Sequence, residues 1–222
     1  IKPPDFQPKN PYPVVVYGYG GPHGHVVQDR WRRSGLFSHF LAQQGYVVFS
    51  VDPRGSNFRG KAFEDQIYKR CGVLEVQDHQ AAVQHIATLP FVDSQRIGIW
   101  GWSYGGYLTI MSLLATDGLY RAGIAVAPVT DWKWYDTHYT ERYMGMPDAD
   151  ADVYAAGSAL EQDPTGLTED LLIVHGMADD NVFLRHTLSF IEKLQSTPVQ
   201  FDLMLYPGKT HLIAGKNTRK HL

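Results

Sequence analysis

One stretch constrains this chain more than any other. Gly101-Trp102-Ser103-Tyr104-Gly105 follows the short apolar run Arg96-Ile97-Gly98-Ile99-Trp100 and precedes a leucine-rich helical pattern over residues 106–116. That order reads as a strand, a sharp turn and a helix. A serine between glycines has a physical use at such a junction, because the turn is so tight that neighbouring side chains must be absent and the hydroxyl is lifted clear of the sheet. The helix that follows aims its free N–H groups and positive dipole end at the same spot, where an oxyanion would form. A bare G-x-S-x-G arises readily by chance, and it is the β-branched strand before it and the helix after it that make this one a nucleophile elbow.

The rest of the chain must then supply a sheet for that elbow. Residues 14–17 form a continuous apolar run suited to a strand buried on both faces. It leads into Gly18-Tyr19-Gly20-Gly21-Pro22, which lacks the third glycine of a dinucleotide-binding turn. Residues 36–44 read as a helix stopped by Gly45, 46–51 as a strand, 61–70 as a short helix with Cys71 at its end, and 74–89 as a helix stopped by Pro90. Strands follow at 121–127, 171–176 and 201–206, with an amphipathic helix at 182–195 before the last. Strands separated by helices imply parallel pairing through right-handed crossovers, hence an α/β fold with a mostly parallel sheet and helices on both faces.

At 222 residues and 44% hydrophobic content the chain can build one well-cored domain. A net charge of −3 offers no basic field for nucleic acid or an anionic membrane surface, and no apolar run is long enough to span a bilayer. The lone cysteine, Cys71, excludes an internal disulfide. The start at Ile1, followed by closely spaced prolines, reads as the cut end of a longer polypeptide. His23 and His25 have no third ligand at recognisable spacing and there is no H-E-x-x-H, so neither a metal nor a cofactor is expected.

In such sheets function collects at the carboxyl ends of the strands. Asp179 and Asp180 lie just beyond one strand and His211 just beyond the next, which gives the order Ser, Asp, His. An alcohol needs a base to take its proton, and the imidazole needs a carboxylate to fix its tautomer. Spacing leaves open which aspartate serves, and one of the two is expected to cap the helix beginning near Val182. Between two strands, residues 128–143 gather Trp132, Trp134, Tyr135, Tyr139 and Tyr143, readable either as a core edge or as a rigid aromatic wall beside the nucleophile.

Together, Gly101-Trp102-Ser103-Tyr104-Gly105-Gly106-Tyr107, Ala127-Pro128-Val129 leading to Tyr139-Thr140-Glu141-Arg142-Tyr143-Met144, and His175-Gly176 with Asp179-Asp180-Asn181-Val182 resemble the catalytic domain of the dipeptidyl peptidase IV group, in the prolyl oligopeptidase family of serine peptidases. The similarity runs from Tyr17 to His211. It implies an α/β-hydrolase domain that releases N-terminal dipeptides with proline or alanine second. By position it makes Ser103 the nucleophile, Asp179 the triad acid and His211 the base, and it assigns the oxyanion hole to the Tyr19 hydroxyl with the Tyr104 backbone N–H. The proline pocket corresponds to Val129, Trp132, Tyr135, Tyr139 and Val182, and Asn181 to the residue that orients the substrate carbonyl.

The resemblance further implies an N-terminal β-propeller, outside this chain, whose glutamates hold the substrate amine. It also implies a final helix beyond Leu222 that takes part in homodimer contacts, and export to a periplasm or cell surface. Trp134 and Gly208-Lys209-Thr210 depart from the common pattern. Competing readings are a general esterase or acylaminoacyl-peptidase-like hydrolase of the same fold, and an interaction domain without activity.

Overall fold

A computed structural model describes residues 1–30, 35–215, 218 and 221. Six strands, β1 (Tyr12–Tyr17), β2 (Val47–Phe49), β3 (Val92–Trp102), β4 (Ala122–Val126), β5 (Asp170–Gly176) and β6 (Asp202–Tyr206), form one sheet in the order β2-β1-β3-β4-β5-β6. Every neighbouring pair is parallel, as the alternation of strands and helices requires. The register aligns Trp102 with Val126, Val126 with Val174, and Gly176 with Tyr206. Four consecutive strands therefore end at one edge, and the loops carrying Ser103, Val129, Asp179 and His211 leave from it.

The helices are α1 (Leu36–Gln43), α2 (Lys61–Glu64), α3 (Leu74–Ala87), α4 (Tyr104–Ala115), α5 (Thr137–Met144), α6 (Ala151–Ala156) and α7 (Arg185–Gln195). Alternation along the strands sorts the core. Val14, Val16, Ile97, Ile99, Ala125, Leu171 and Ile173 belong to the main cluster, together with Val83 of α3, Leu108 of α4 and Phe190 of α7. The intervening Val15, Trp100, Ile124 and Leu172 point to the other face, where α1 sets Phe37 edge-on to Trp100 at 5.2 Å between ring centres. Beside α1 that face carries an apolar groove of about 1270 Å³.

Several boundaries differ from the sequence reading, three of them with a visible cause. The helix expected over residues 61–70 is a four-residue α-helix followed by a 3₁₀ turn, Asp65–Ile67. Strand β3 begins earlier than expected, because Tyr12 pairs with Val92 across a register shift that the polar Asp93-Ser94-Gln95 disguises. Helix α7 starts at Arg185 and not near Val182, with Leu184 as its N-cap and no side-chain cap, so neither Asp179 nor Asp180 caps it. Leu222 lies outside the described residues, and no described helix is long and apolar enough to cross a membrane.

Candidate active site

Ser103 joins β3 directly to α4 with φ 61° and ψ −118°, a left-sided backbone that a non-glycine residue adopts only under constraint. The constraint is visible in its neighbours. A Cβ on Gly101 would lie 2.5 Å from the Gly18 carbonyl oxygen, and one on Gly106 would lie 2.6 Å from the Val126 carbonyl oxygen. A Cβ on Gly105 would collide with the Gly18 carbonyl as well. The Ser103 N–H donates to Val126 O at 2.8 Å, pinning the turn to the adjacent strand. The elbow read from sequence is present, with its helix beginning one residue after the serine.

Asp179 is buried at the end of the β5 loop, and its two oxygens have separate tasks. Oδ1 accepts from the N–H groups of Asn181 at 3.0 Å and Val182 at 2.9 Å, which closes the turn. Oδ2 lies 2.8 Å from His211 Nδ1. An ionised carboxylate only accepts, so His211 carries its proton on Nδ1 and offers the lone pair of Nε2. Asp180, by contrast, is exposed. Trp102 Nε1 donates to the His211 carbonyl at 2.9 Å, tying the histidine loop to the residue beside Ser103.

A second imidazole reaches the same carboxylate. His175 is fully buried, with Nε2 at 2.8 Å from Val182 O and 3.2 Å from Asp179 Oδ2, and Nδ1 at 2.7 Å from Thr187 Oγ1. A carbonyl can only accept, so Nε2 bears the proton and Nδ1 takes the threonine hydroxyl. Burial lowers the pKa of His175, which keeps it a neutral donor.

On the other side of the elbow stands the loop after β1. The Tyr19 and Tyr104 rings are 6.1 Å apart, and burial raises the Tyr19 pKa, so its hydroxyl remains protonated and able to donate. Trp132, 1% exposed, fills the space beneath, with ring centres 5.3 Å from Tyr104, 5.8 Å from Tyr135 and 6.0 Å from Tyr139. The Tyr135 hydroxyl donates to Asn181 Oδ1 at 3.0 Å, joining the aromatic segment to the Asp179 turn.

The aromatic segment divides between core and surface. Val129, Trp132 and Val182 are buried in the main core, whereas Tyr135, Tyr139 and Tyr143 are only partly buried and supply a surface. Trp134 leaves the group, packing on His186 at 5.7 Å with the Arg185 guanidinium 4.0 Å above its ring. Tyr104, Trp132, Tyr135, Asn181, Asp179 and His211 consequently fall on one circuit of contacts that Trp102 and Ser103 close, with Tyr19 joined to it through Tyr104.

The sequence matches the profile described as "Prolyl oligopeptidase family" over residues 33–222. The chain belongs to the prolyl oligopeptidase family. Within that family it is 42% identical over 221 residues to a protein named probable dipeptidyl-aminopeptidase B from Grosmannia clavigera, covering 99% of this chain and 23% of that protein. Human dipeptidyl peptidase 8 is 41% identical, with 99% of this chain and 25% of that protein covered. The crystal structure of Porphyromonas gingivalis dipeptidyl peptidase 4 superposes with a TM-score of 0.95 at 48% identity, over 100% of this chain and 31% of the other. The fold is that of an α/β-hydrolase. The chain spans about a quarter of the length of the curated relatives it matches.

Sequence reasoning quoted Trp102 and His175 within motifs but gave neither of them, nor Glu75, a role of its own. Trp102 and His175 sit at the ends of apolar strand runs and read as strand residues. Glu75 had a usable signal, because Glu75, His79, Val83 and Ile86 recur at helical spacing and share the buried stripe of α3.

Proposed function

We propose that this chain is the catalytic domain of a serine-type dipeptidyl peptidase that releases N-terminal dipeptides, with proline or alanine preferred as the second residue. The observation that carries the reading is the 2.8 Å contact between His211 Nδ1 and Asp179 Oδ2, placed one hydrogen bond from Trp102 beside the constrained Ser103. Relatives named as dipeptidyl peptidases support the substrate class.

In this mechanism His211 Nε2 takes the Ser103 proton as Oγ attacks the scissile carbonyl, and Asp179 stabilises the resulting imidazolium. The tetrahedral oxygen is met by the Tyr104 backbone N–H and the Tyr19 hydroxyl. His211 then protonates the leaving amine, and water releases the dipeptide from the acyl-enzyme by the same steps. The partly buried faces of Tyr135 and Tyr139, backed by Val129, Trp132 and Val182, suit a pyrrolidine or a methyl group, which gain from flat apolar contact where a polar side chain would not. Asn181, held by Tyr135, orients the substrate carbonyl.

Selection of a dipeptide requires carboxylates that grip a free amine, and we assign these to a β-propeller in the longer polypeptide. The test compares kcat/KM for a proline dipeptide substrate with its N-acetylated form, in the full-length polypeptide and in residues 1–222. We expect strong turnover of the free amine only in the full-length protein, because remote binding energy positions the scissile carbonyl. Equal rates for free and blocked amine in the full-length protein would favour an esterase or acylaminoacyl-peptidase-like hydrolase.

A further inference from the structure

Beneath the elbow lies a carboxyl group that the triad does not use. Glu75 is fully buried on α3, where its Oε1 accepts from the Tyr104 hydroxyl at 2.7 Å and from the Gly72 N–H at 2.6 Å. Its Oε2 has no partner among the described residues. The methylenes of the same side chain support the Tyr19 loop, since a Cβ on Gly20, at φ +75°, would lie 3.3 Å from Glu75 Cγ. One turn along, His79 Nδ1 donates to the Glu75 carbonyl at 3.0 Å, and its ring underlies Gly18. Gly21 meets the Tyr104 ring directly, where a Cβ would come within 3.0 Å of Cγ. One side chain therefore touches both elements that would form the oxyanion hole.

We propose that Glu75 is a positioning residue that works as a neutral carboxylic acid, holding Tyr104 and the Tyr19 loop in register so that the two oxyanion donors keep their spacing. The proposal rests on the peptidase reading above. An ionised carboxylate with one bare, buried oxygen would lose its hydration without replacement. Burial accordingly pushes the Glu75 carboxyl up to about 7.

The surrounding groups offset that only in part: hydrogen bonds from Tyr104 and the Gly72 N–H lower the Glu75 pKa, whereas the Asp78 charge raises it further. Burial raises Cys71 from the preceding turn, Tyr104 and Tyr107 from α4, and Tyr19 from the loop, and it lowers His79, so all five are neutral near pH 7. Asp78 is engaged by Arg54 at 2.5 Å. Among the described residues no cation is one of the groups that shift Glu75. A negative charge there would also oppose the oxygen that becomes negative in the transition state.

The test uses the full-length polypeptide. Glu75→Gln keeps the shape and the acceptor, whereas Glu75→Ala removes both. We expect E75Q to retain kcat within about threefold of the parent, and E75A to lose roughly tenfold to a hundredfold in kcat with KM nearly unchanged. Tyr104→Phe, which deletes the same hydrogen bond and leaves the backbone donor, should lower kcat about tenfold and serves if E75A does not fold.

A second readout is independent of activity. With a folded pKa near 7 against an ordinary value of 4.5, the stability that Glu75 contributes is present below pH 4.5 and lost as pH rises to about 7. The Tm of E75Q relative to the parent should therefore climb between pH 5 and pH 8. An E75Q as impaired as E75A would show that a neutral side chain of this shape does not suffice, and a Tm difference flat with pH would show that Glu75 titrates alike in the folded and unfolded protein; either result overturns the proposal. So would unchanged kcat in both E75A and Tyr104→Phe. Failure of a fluorophosphonate to label Ser103 in the parent overturns the peptidase reading and this one with it, whereas normal labelling with unaffected variants overturns this one alone.

Discussion

The indole of Trp102 donates to the backbone carbonyl of His211 across 109 residues of sequence, at 2.9 Å. It makes the histidine loop part of the elbow, because Trp102 is the residue before Ser103 and the last of β3. Trp102→Phe keeps the ring and deletes the donor. Loss of one such bond is worth about 1 kcal/mol. We expect kcat to fall about fivefold to tenfold with KM little changed, and a variant with normal kcat would mean that the His211 loop is held by other contacts.

Ser103→Ala should abolish fluorophosphonate labelling and lower kcat on the order of 10⁶. Intact-mass measurement of the labelled parent and variant reads this directly. Labelling of the alanine variant at the parent's rate would move the nucleophile elsewhere.

Asp179 Oδ2 is shared by His211 and His175, at 2.8 and 3.2 Å. His175, whose Nε2–H donates to Val182 O, therefore also packs its N–H edge against the carboxylate and helps to aim it. His175→Phe fills the volume without the N–H, and hydrogen bonds to charged groups contribute roughly 1.5–3 kcal/mol. We predict a kcat lower by about tenfold to a hundredfold, measured at saturating substrate. If Asp180→Asn proved more damaging than Asp179→Asn, the two aspartates would have to exchange roles.

The fold was legible because most of its strands contain short apolar runs and its helices are bounded by glycine and proline. The elbow was legible because steric crowding leaves a fixed pattern of glycines around Ser103. Chain order and the strand-end rule brought Asp179 and His211 forward, but local spacing could not separate Asp179 from Asp180. That choice depends on which side chain turns inward, a matter decided by the Asn181 and Val182 N–H groups. His175 and Glu75 were hidden for a related reason. Each occupies a position that periodicity marks as core, and pattern reading does not distinguish a buried polar group with partners from an apolar one.

In the proposed mechanism the Tyr19 hydroxyl meets charge that exists only on the tetrahedral oxygen, and its raised pKa keeps the hydroxyl a donor. Tyr19→Phe should lower kcat by about 10² to 10³ with KM nearly constant. Steady-state kinetics on one dipeptide substrate suffices. A raised KM at normal kcat would make Tyr19 a binding residue.

Three buried histidines should make the domain acid-sensitive. His79, His175 and His186 are each fully buried, and burial lowers the pKa of each, that of His186 to about 4. At His186 the geometry agrees, since Nδ1 accepts the Thr130 N–H at 3.1 Å and can do so only when unprotonated. The unfolded chain takes up a proton near the ordinary value of 6.5, whereas the folded chain does not until about pH 4. The stability contributed is therefore present above pH 6.5 and is lost as pH falls towards 4. For His186 the difference corresponds to about 3 kcal/mol at most. His186→Asn offers Oδ1 as an acceptor for the Thr130 N–H and has no proton to gain. Its denaturant midpoint, whatever its value at pH 7.5, should fall less steeply than the parent's between pH 6.5 and pH 4.5. Parallel curves for the two proteins would show that His186 takes up its proton equally in the folded and unfolded states.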